Sequence, residues 1–274
     1  MTAAAEASLA GLRRILNGFE RVVVAFSGGA DSAFLAWVAN EVLGPDRAHA
    51  VTAVSPSLGD EEAAHCRALA RAWGLRWTTV ATTEMDDPAY VANGADRCAR
   101  CKSALMDALA PLAHASGATV VLGVNCDDLS DHRPGQEAAA ARGAAFPLVD
   151  AGFTKSAVRA ASRELGLPTW DRPAAACLAS RLPYGTPVTL ERLGRVGRAE
   201  SALRGLGFSQ LRGRHFGDLA RLEVPPADMG RVLDQRAAVV AAVRAGGYGY
   251  VTLDLEGFRS GNLNRALGTG VPAR

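Results

Sequence analysis

No stretch of the chain approaches the roughly 18 consecutive apolar residues that a membrane-spanning helix needs, and the first residues, MTAAAEASLAGLRR, show no charged segment followed by an apolar signal core. The expectation is a cytoplasmic protein with no membrane partner. Cysteine is scarce and odd in number, five in 274 residues. Without a secretion signal, five thiols do not make the disulfide framework of a small secreted scaffold. An excess of one charge is missing too: 30 basic against 28 acidic residues leave a formal +2. So mild a balance argues against a broad nucleic-acid or membrane surface, and any polyanion site has to be local. Internal repeats and low-complexity segments are absent beyond a general richness in alanine.

What is there is an ordinary globular composition, 49% hydrophobic and 21% charged, with a length that suits one large or two smaller domains. In the first half, β-rich runs alternate with helical patterns, the signature of a parallel sheet with crossover helices. Arg21 to Phe26, Ala48 to Val54, Trp77 to Ala81 and Ala118 to Val124 read as strands. Helices are predicted over Asp31 to Leu43, Asp60 to Trp73, about Cys101 to His114, and from Thr154 to about Leu165. Near Pro168 the rhythm breaks. The stretch LPTWDRPAAACLASRLPYGTP holds four prolines and reads as a long loop, a type that is often functional. Beyond it come a helix over about Thr189 to Leu206, a hairpin of Gln210 to Phe216 and Leu219 to Val224, a helix over about Ala227 to Arg244, and a strand from Tyr248 to Leu255. The expected class is α/β: a parallel-sheet domain over 1–170, a cysteine-bearing loop over 171–188 and a smaller α+β domain over 189–274.

Ser27-Gly28-Gly29-Ala30-Asp31-Ser32 sits between the first strand and the first helix. At such a junction glycines let the backbone approach a ligand, free N–H groups and the helix dipole favour an anion, and the hydroxyls of Ser27 and Ser32 add donors. Asp31 can hold a magnesium ion (Mg2+) that bridges phosphates. Two glycines alone would signify only a tight capped turn. The whole hexapeptide resembles the SGGxDS signature of the PP-loop ATP pyrophosphatases, which implies cleavage of ATP to AMP and pyrophosphate with AMP passing to a substrate oxygen. The Walker pattern GxxxxGK followed by Ser or Thr is missing from this loop, which disfavours γ-phosphate transfer.

Cys98 and Cys101 form a CxxC pair near the head of a predicted helix. Alone it is compatible with half of a zinc site, a redox pair, two iron–sulfur ligands or simple packing. Cys177 lies in the long loop beside Ser180 and Arg181, where a nearby guanidinium favours the thiolate that a nucleophile or metal ligand needs. Cys66 shares an apolar helix face with Leu69 and Trp73 and reads as core. Cys126 follows a strand end and is left without a role. In the hairpin, alternation puts Arg212 and Arg214 on one face, and Arg221 and Glu223 on one face of the partner strand. If the two faces coincide, three guanidiniums surround one carboxylate and can clamp a phosphate monoester; the alternative is a solvated, salt-bridged face.

The phosphate loop, GVNCDDLSDHRPG (Gly123 to Gly135), PLVDAGFTKSAVR (Pro147 to Arg159), the ACLASRLPYG segment of the loop and YVTLDLEGFRSGNLN (Tyr250 to Asn264) together resemble the LarE family. These are ATP-dependent sulfur transferases that help make the nickel-pincer nucleotide cofactor of lactate racemase. The resemblance implies a PP-loop domain, a smaller C-terminal domain and a homo-oligomer. It also implies adenylation of one carboxylate of pyridinium-3,5-biscarboxylic acid mononucleotide, after which a sulfur nucleophile displaces AMP to leave a thiocarboxylate. Sulfur comes in one version from Cys177 itself, sacrificed to dehydroalanine. In the other it rides on a 4Fe-4S cluster held by three cysteines and reloaded by an unknown sulfur donor. The presence of Cys98 and Cys101 beside Cys177 favours the cluster version, because three thiolates leave one iron open.

The resemblance further places Arg212 and Arg214 at the substrate phosphate, Ser180 and Arg181 beside the sulfur site, Glu200 and Glu223 near it as possible ligands of a divalent cation, and Gly123, Asp127 and Asp128 with ATP or magnesium. Two rival readings share parts of this pattern. A PP-loop tRNA thiolase can also pair SGGxDS with three cysteines, but it needs a wide basic surface, which a net +2 does not supply. A non-catalytic adenine-nucleotide sensor would bind ATP without releasing pyrophosphate and has no need of the cysteine loop.

Overall fold

The computed structural model describes residues 3–129, 134–172 and 177–259. These form two compact units, one comprising residues up to 55, 60–84 and 98–172, the other 56–59, 85–97 and 177–259. In the first unit a helix, α1 (Ala3–Asn17), precedes β1 (Val22–Ala25), α2 (Ala30–Leu43), β2 (Ala48–Val54), α3 (Asp60–Ala72), β3 (Arg76–Ala81), α4 (Arg97–Ser116), β4 (Thr119–Leu122) and α5 (Lys155–Glu164). The four strands are all parallel, in the order β3-β2-β1-β4. The three valines of β1 show why. Val22 and Val24 enter a core shared with Leu12, Phe34 and Leu148, while Val23 enters the opposite one with Met106 and Leu109. A strand buried on both faces is an unbroken apolar run, and full burial of each such side chain contributes about 1.5–3 kcal/mol. Phe34 of α2 packs on Phe153 with ring centroids 5.2 Å apart. α4 begins at Arg97, a turn earlier than the periodicity predicts. Nothing in Arg97 to Cys101 opposes helix, so the CxxC winds into the first turn and sets its two thiols on one face. Among the described residues no helix is long and apolar enough to cross a membrane.

The second unit packs α6 (Leu190–Gly205) against a three-stranded sheet of β5 (Arg212–Phe216), β6 (Leu219–Glu223) and β7 (Tyr250–Leu253). Thr189 caps α6, its Oγ1 accepting from the Arg192 N–H at 3.2 Å. β5 and β6 are antiparallel, and β7 runs parallel to β6. The predicted long helix after the hairpin is instead a 3-10 turn and two helices, Met229–Asp234 and Arg236–Ala245, parted at Gln235. One sheet face buries His215, Ala220 and Leu222. The other carries the arginines described below.

Part of the N-terminal half also belongs to this unit. A one-turn helix, Pro88–Val91, capped by the Asp87 carboxylate, leads to Asn93, whose φ of +58° lies in the left-handed region. The N–H groups of Val188 and Gly185 donate to the carbonyls of Val91 and Asn93 at 2.8 and 3.0 Å. These bonds run from main chain to main chain and leave no periodic signal in the sequence.

Candidate active site

β1 has β2 on one side and β4 on the other, and the helix that links β1 to β2 lies on the opposite face from the helix that leads into β4, so a crevice opens at the carboxyl ends of β1 and β4. The Ser27–Ser32 loop lies there. Gly28 has φ +71°, and a Cβ on it would stand 2.9 Å from the Cys66 sulfur and 3.0 Å from the His65 ring. Backbone and space both demand glycine. Gly29 is the N-cap of α2 without a side-chain cap, which leaves the first-turn N–H groups of the helix to a ligand. Ser32 Oγ accepts from the Ser27 N–H at 3.2 Å and stands 2.9 Å from Ser27 Oγ. At Gly123 a Cβ would come within 2.8 Å of the Ser32 nitrogen, so glycine lets the end of β4 lie against the loop.

The Asp31 carboxylate is held by the Lys155 ammonium and by Asn125 Nδ2, the latter at 3.3 Å. Lys155 opens α5, and its N–H donates to Asp127 Oδ2 at 2.8 Å; Asp128 Oδ2 accepts the Asn125 N–H at 3.2 Å. Ser27, Gly28, Gly29, Asp31, Ser32 and Gly123 are therefore brought together, while Asp127 and Asp128 hold the segment that carries Asn125 and steadies Lys155. Neither Lys155 nor Asn125 was singled out from sequence. Their signal was the GFTKSAVR and GVNCDD segments, in which a lysine stands at a helix start and an asparagine follows a strand.

In the second unit, Cys177 caps a 3-10 turn, Leu178–Arg181. Its carbonyl accepts from the Ser180 N–H at 2.9 Å, from Ser180 Oγ at 2.7 Å and from Arg181 Nη1 at 3.0 Å. Arg181 is almost wholly buried and forks onto Glu200, Nε to Oε1 and Nη2 to Oε2, both at 2.8 Å. The register Arg212↔Glu223 and Arg214↔Arg221 makes the two hairpin faces coincide. Arg214 donates to the Ser180 carbonyl and to Glu223 Oε2, both at 2.8 Å, and Arg221 reaches Glu223 Oε1 at 3.1 Å. Arg204 reaches Glu200 Oε2 at 3.0 Å. Arg212 lies over the Phe258 ring at 5.0 Å. Burial, with the like charges of Arg181 and Arg214 and against the pull of Glu200, pushes the Arg212 guanidinium down to about 10. A bound anion would reverse that push, and five guanidiniums facing Glu200, Glu223 and Asp254 suit a phosphate monoester.

Residues 7–99 match the family model described as NAD synthase. An uncharacterised protein of Synechocystis sp. is 48% identical over 96% of this chain and 98% of its own. The pyridinium-3,5-bisthiocarboxylic acid mononucleotide synthase of Lactiplantibacillus plantarum is 38% identical over 92% of each chain. The chain belongs to the LarE family of ATP-dependent sulfurtransferases. An NH(3)-dependent NAD(+) synthetase of Trichlorobacter lovleyi shares 35% identity over 28% of this chain and 32% of its own, the reach of a common ATP-using sheet.

For a LarE protein the thiols divide clearly. Cys66 is buried with its sulfur 4.0 Å from the Phe26 carbonyl, and burial pushes its thiol up, away from thiolate. Cys126 directs its sulfur to the Val149 carbonyl at 3.8 Å. Cys98 is exposed and Cys101 half-buried on the first turn of α4, a spacing that fits two corners of a cluster. Cys177 is half-buried and belongs to the second unit. Among the described residues no three His, Cys, Asp or Glu side chains are grouped as for a metal ion.

Glu200 and Glu223, given by the resemblance as possible ligands of a divalent cation, are each surrounded by guanidiniums. Glu200 takes Arg181 and the Gly213 N–H on one oxygen or the other and Arg204 besides, and Glu223 lies between Arg214 and Arg221. Both are counter-ions of guanidiniums. Burial alone would raise the Glu200 carboxyl, but the charge and hydrogen bonds of Arg181, the Gly213 N–H and Arg204 outweigh it and hold the group below its ordinary range. The unfolded chain, at about 4.3, then takes up the proton first. The stabilisation is complete above that pH and is lost as pH falls through the lower folded value. Glu200→Gln should cost about 3–5 kcal/mol at neutral pH, since it strands Arg181 in the interior. Urea melts of both proteins at pH 7 and pH 4 check this, and the gap between them should narrow in acid.

Proposed function

We propose that the chain converts a carboxylate of pyridinium-3,5-biscarboxylic acid mononucleotide into a thiocarboxylate on the route to the nickel-pincer nucleotide. The observation that carries this is the 38% identity, over 92% of each chain, to a synthase named for the bisthiocarboxylic product. The phosphate loop, with Lys155, would hold the triphosphate of ATP, and Asp31 would hold a magnesium ion that spreads the charge leaving with pyrophosphate. A substrate carboxylate oxygen attacks the α-phosphorus, and the bond to the bridging oxygen breaks with its electron pair going to pyrophosphate. A sulfur nucleophile then adds to the activated carbonyl carbon, and AMP departs with the C–O electrons. Arg212 and Arg214 would take the substrate phosphate, a reading supported by the excess of guanidiniums over carboxylates on their face.

Cys98, Cys101 and Cys177 are proposed to hold a 4Fe-4S cluster, which when bound supplies an exchangeable sulfide at its open iron. Support comes from the three-cysteine set and from the helical spacing of the first two. The test is anaerobic incubation of reconstituted protein with ATP, magnesium, sulfide and the pyridinium dicarboxylate mononucleotide. Expected are AMP, pyrophosphate and a product in which sulfur has replaced one oxygen, read by mass. ATP bound without pyrophosphate release would sink the proposal in favour of a sensor. Saturable tRNA binding at physiological salt would favour the thiolase.

A further inference from the structure

We propose that Asn93 and Arg97 are positioning residues for the turn of Cys177, a role that rests on the reading of Cys177 as the residue that handles sulfur. Three carbonyls of this turn each accept from a different guanidinium. Arg181 takes that of Cys177, Arg97 that of Ala179 at 2.9 Å, and Arg214 that of Ser180. Arg181 and Arg214 are themselves fixed by Glu200 and Glu223. Arg97 comes from the distant 85–97 segment, is only 5% exposed, and also donates to Asn93 Oδ1 at 2.6 Å. Asn93 is fully buried, and its Nδ2 donates to the carbonyls of Pro183 and Thr186, both at 2.8 Å.

One asparagine and one arginine thus hold the middle of the turn and its exit. A buried guanidinium is costly unless its hydrogen bonds are met, and a left-handed backbone is tolerated by few side chains other than asparagine. A solvated connector needs neither expense. A turn that must present one thiol in one place has use for both, because their bonds fix the carbonyls of Ala179, Pro183 and Thr186 and leave the Cys177 side chain to the chemistry.

The test uses Arg97→Gln, Asn93→Gly and Arg97→Lys in the full chain. Glycine accepts the φ of residue 93 without strain, so Asn93→Gly removes the side-chain bonds alone. In nucleotide-free protein, amide exchange over Leu178–Leu182 should quicken by about tenfold or more in the first two variants, with the β5–β6 hairpin unchanged. With ATP and the pyridinium dicarboxylate, the ratio of thiocarboxylate formed to AMP released should fall by about tenfold, while pyrophosphate release stays within about threefold of wild type. Arg97→Lys, which keeps a donor, should recover part of the ratio. Unchanged exchange overturns the role, as does faster exchange with an unchanged ratio or an equal loss of pyrophosphate and thiocarboxylate. A wild-type protein that releases no pyrophosphate with this substrate counts against the proposed function instead, and the exchange arm still reads the turn.

Discussion

Asp31→Ala should stop pyrophosphate release, by about 100-fold or more if its carboxylate carries the metal that neutralises the leaving phosphates. The residue stands in the first turn of α2, where the uncapped N–H groups favour an anion, and a carboxylate that shares that anion site with phosphates needs a cation between them. Lys155 now fills that part. When a triphosphate arrives, Lys155 can turn to its oxygens and Asp31 to magnesium, a division of labour that neither residue achieves alone. The pair is partly exposed, at 32% and 19%, so losing it should cost no more than about 1 kcal/mol of stability. Thermal melts close to wild type beside abolished release would therefore assign the effect to chemistry. Asp31→Asn keeps the size and loses the charge, and should be as inactive as the alanine variant. Unchanged release from either would remove Asp31 from the reaction.

The sheet and the phosphate loop were legible because their signals are local. Val22 to Val24 must be buried on both faces, and the whole Ser27–Ser32 hexapeptide stands at a strand-to-helix junction where Gly28 takes a positive φ. The arginine face could be foreseen for a similar reason, since alternation orders each strand and the tight Gly217 turn sets the register. What escaped notice acts over long separations and through main-chain atoms. Lys155 and Asp31 are 124 residues apart, and a lysine that opens a helix looks like any solvated one. Arg97 and Ala179 are 82 apart, and a carbonyl acceptor has no residue-type signature at all. Glu200 and Glu223 entered only through the family resemblance, as possible cation ligands, and the guanidiniums that surround them come from other elements and leave no periodic signal beside them.

Cys177→Ala should separate the two halves of the reaction, with pyrophosphate still released and no thiocarboxylate formed. The turn is built on the carbonyl of residue 177, which Ser180 and Arg181 hold, so truncating the half-buried side chain leaves those bonds in place. Adenylation at the phosphate loop draws on other residues and should survive, its acyl adenylate lost to water for want of sulfur. The two sources of sulfur then part on Cys98 and Cys101. If a cluster carries the sulfide, Cys98→Ala and Cys101→Ala should fail as completely as Cys177→Ala, and all three should lose most of the roughly four irons per chain of the reconstituted wild type. If Cys177 gives up its own sulfur, the other two variants should each turn over once, and wild-type Cys177 should come out lighter by one hydrogen sulfide. Iron and labile-sulfide analysis beside the intact mass decides between them, because one sulfur atom cannot both leave the protein with the product and remain as a thiolate on iron.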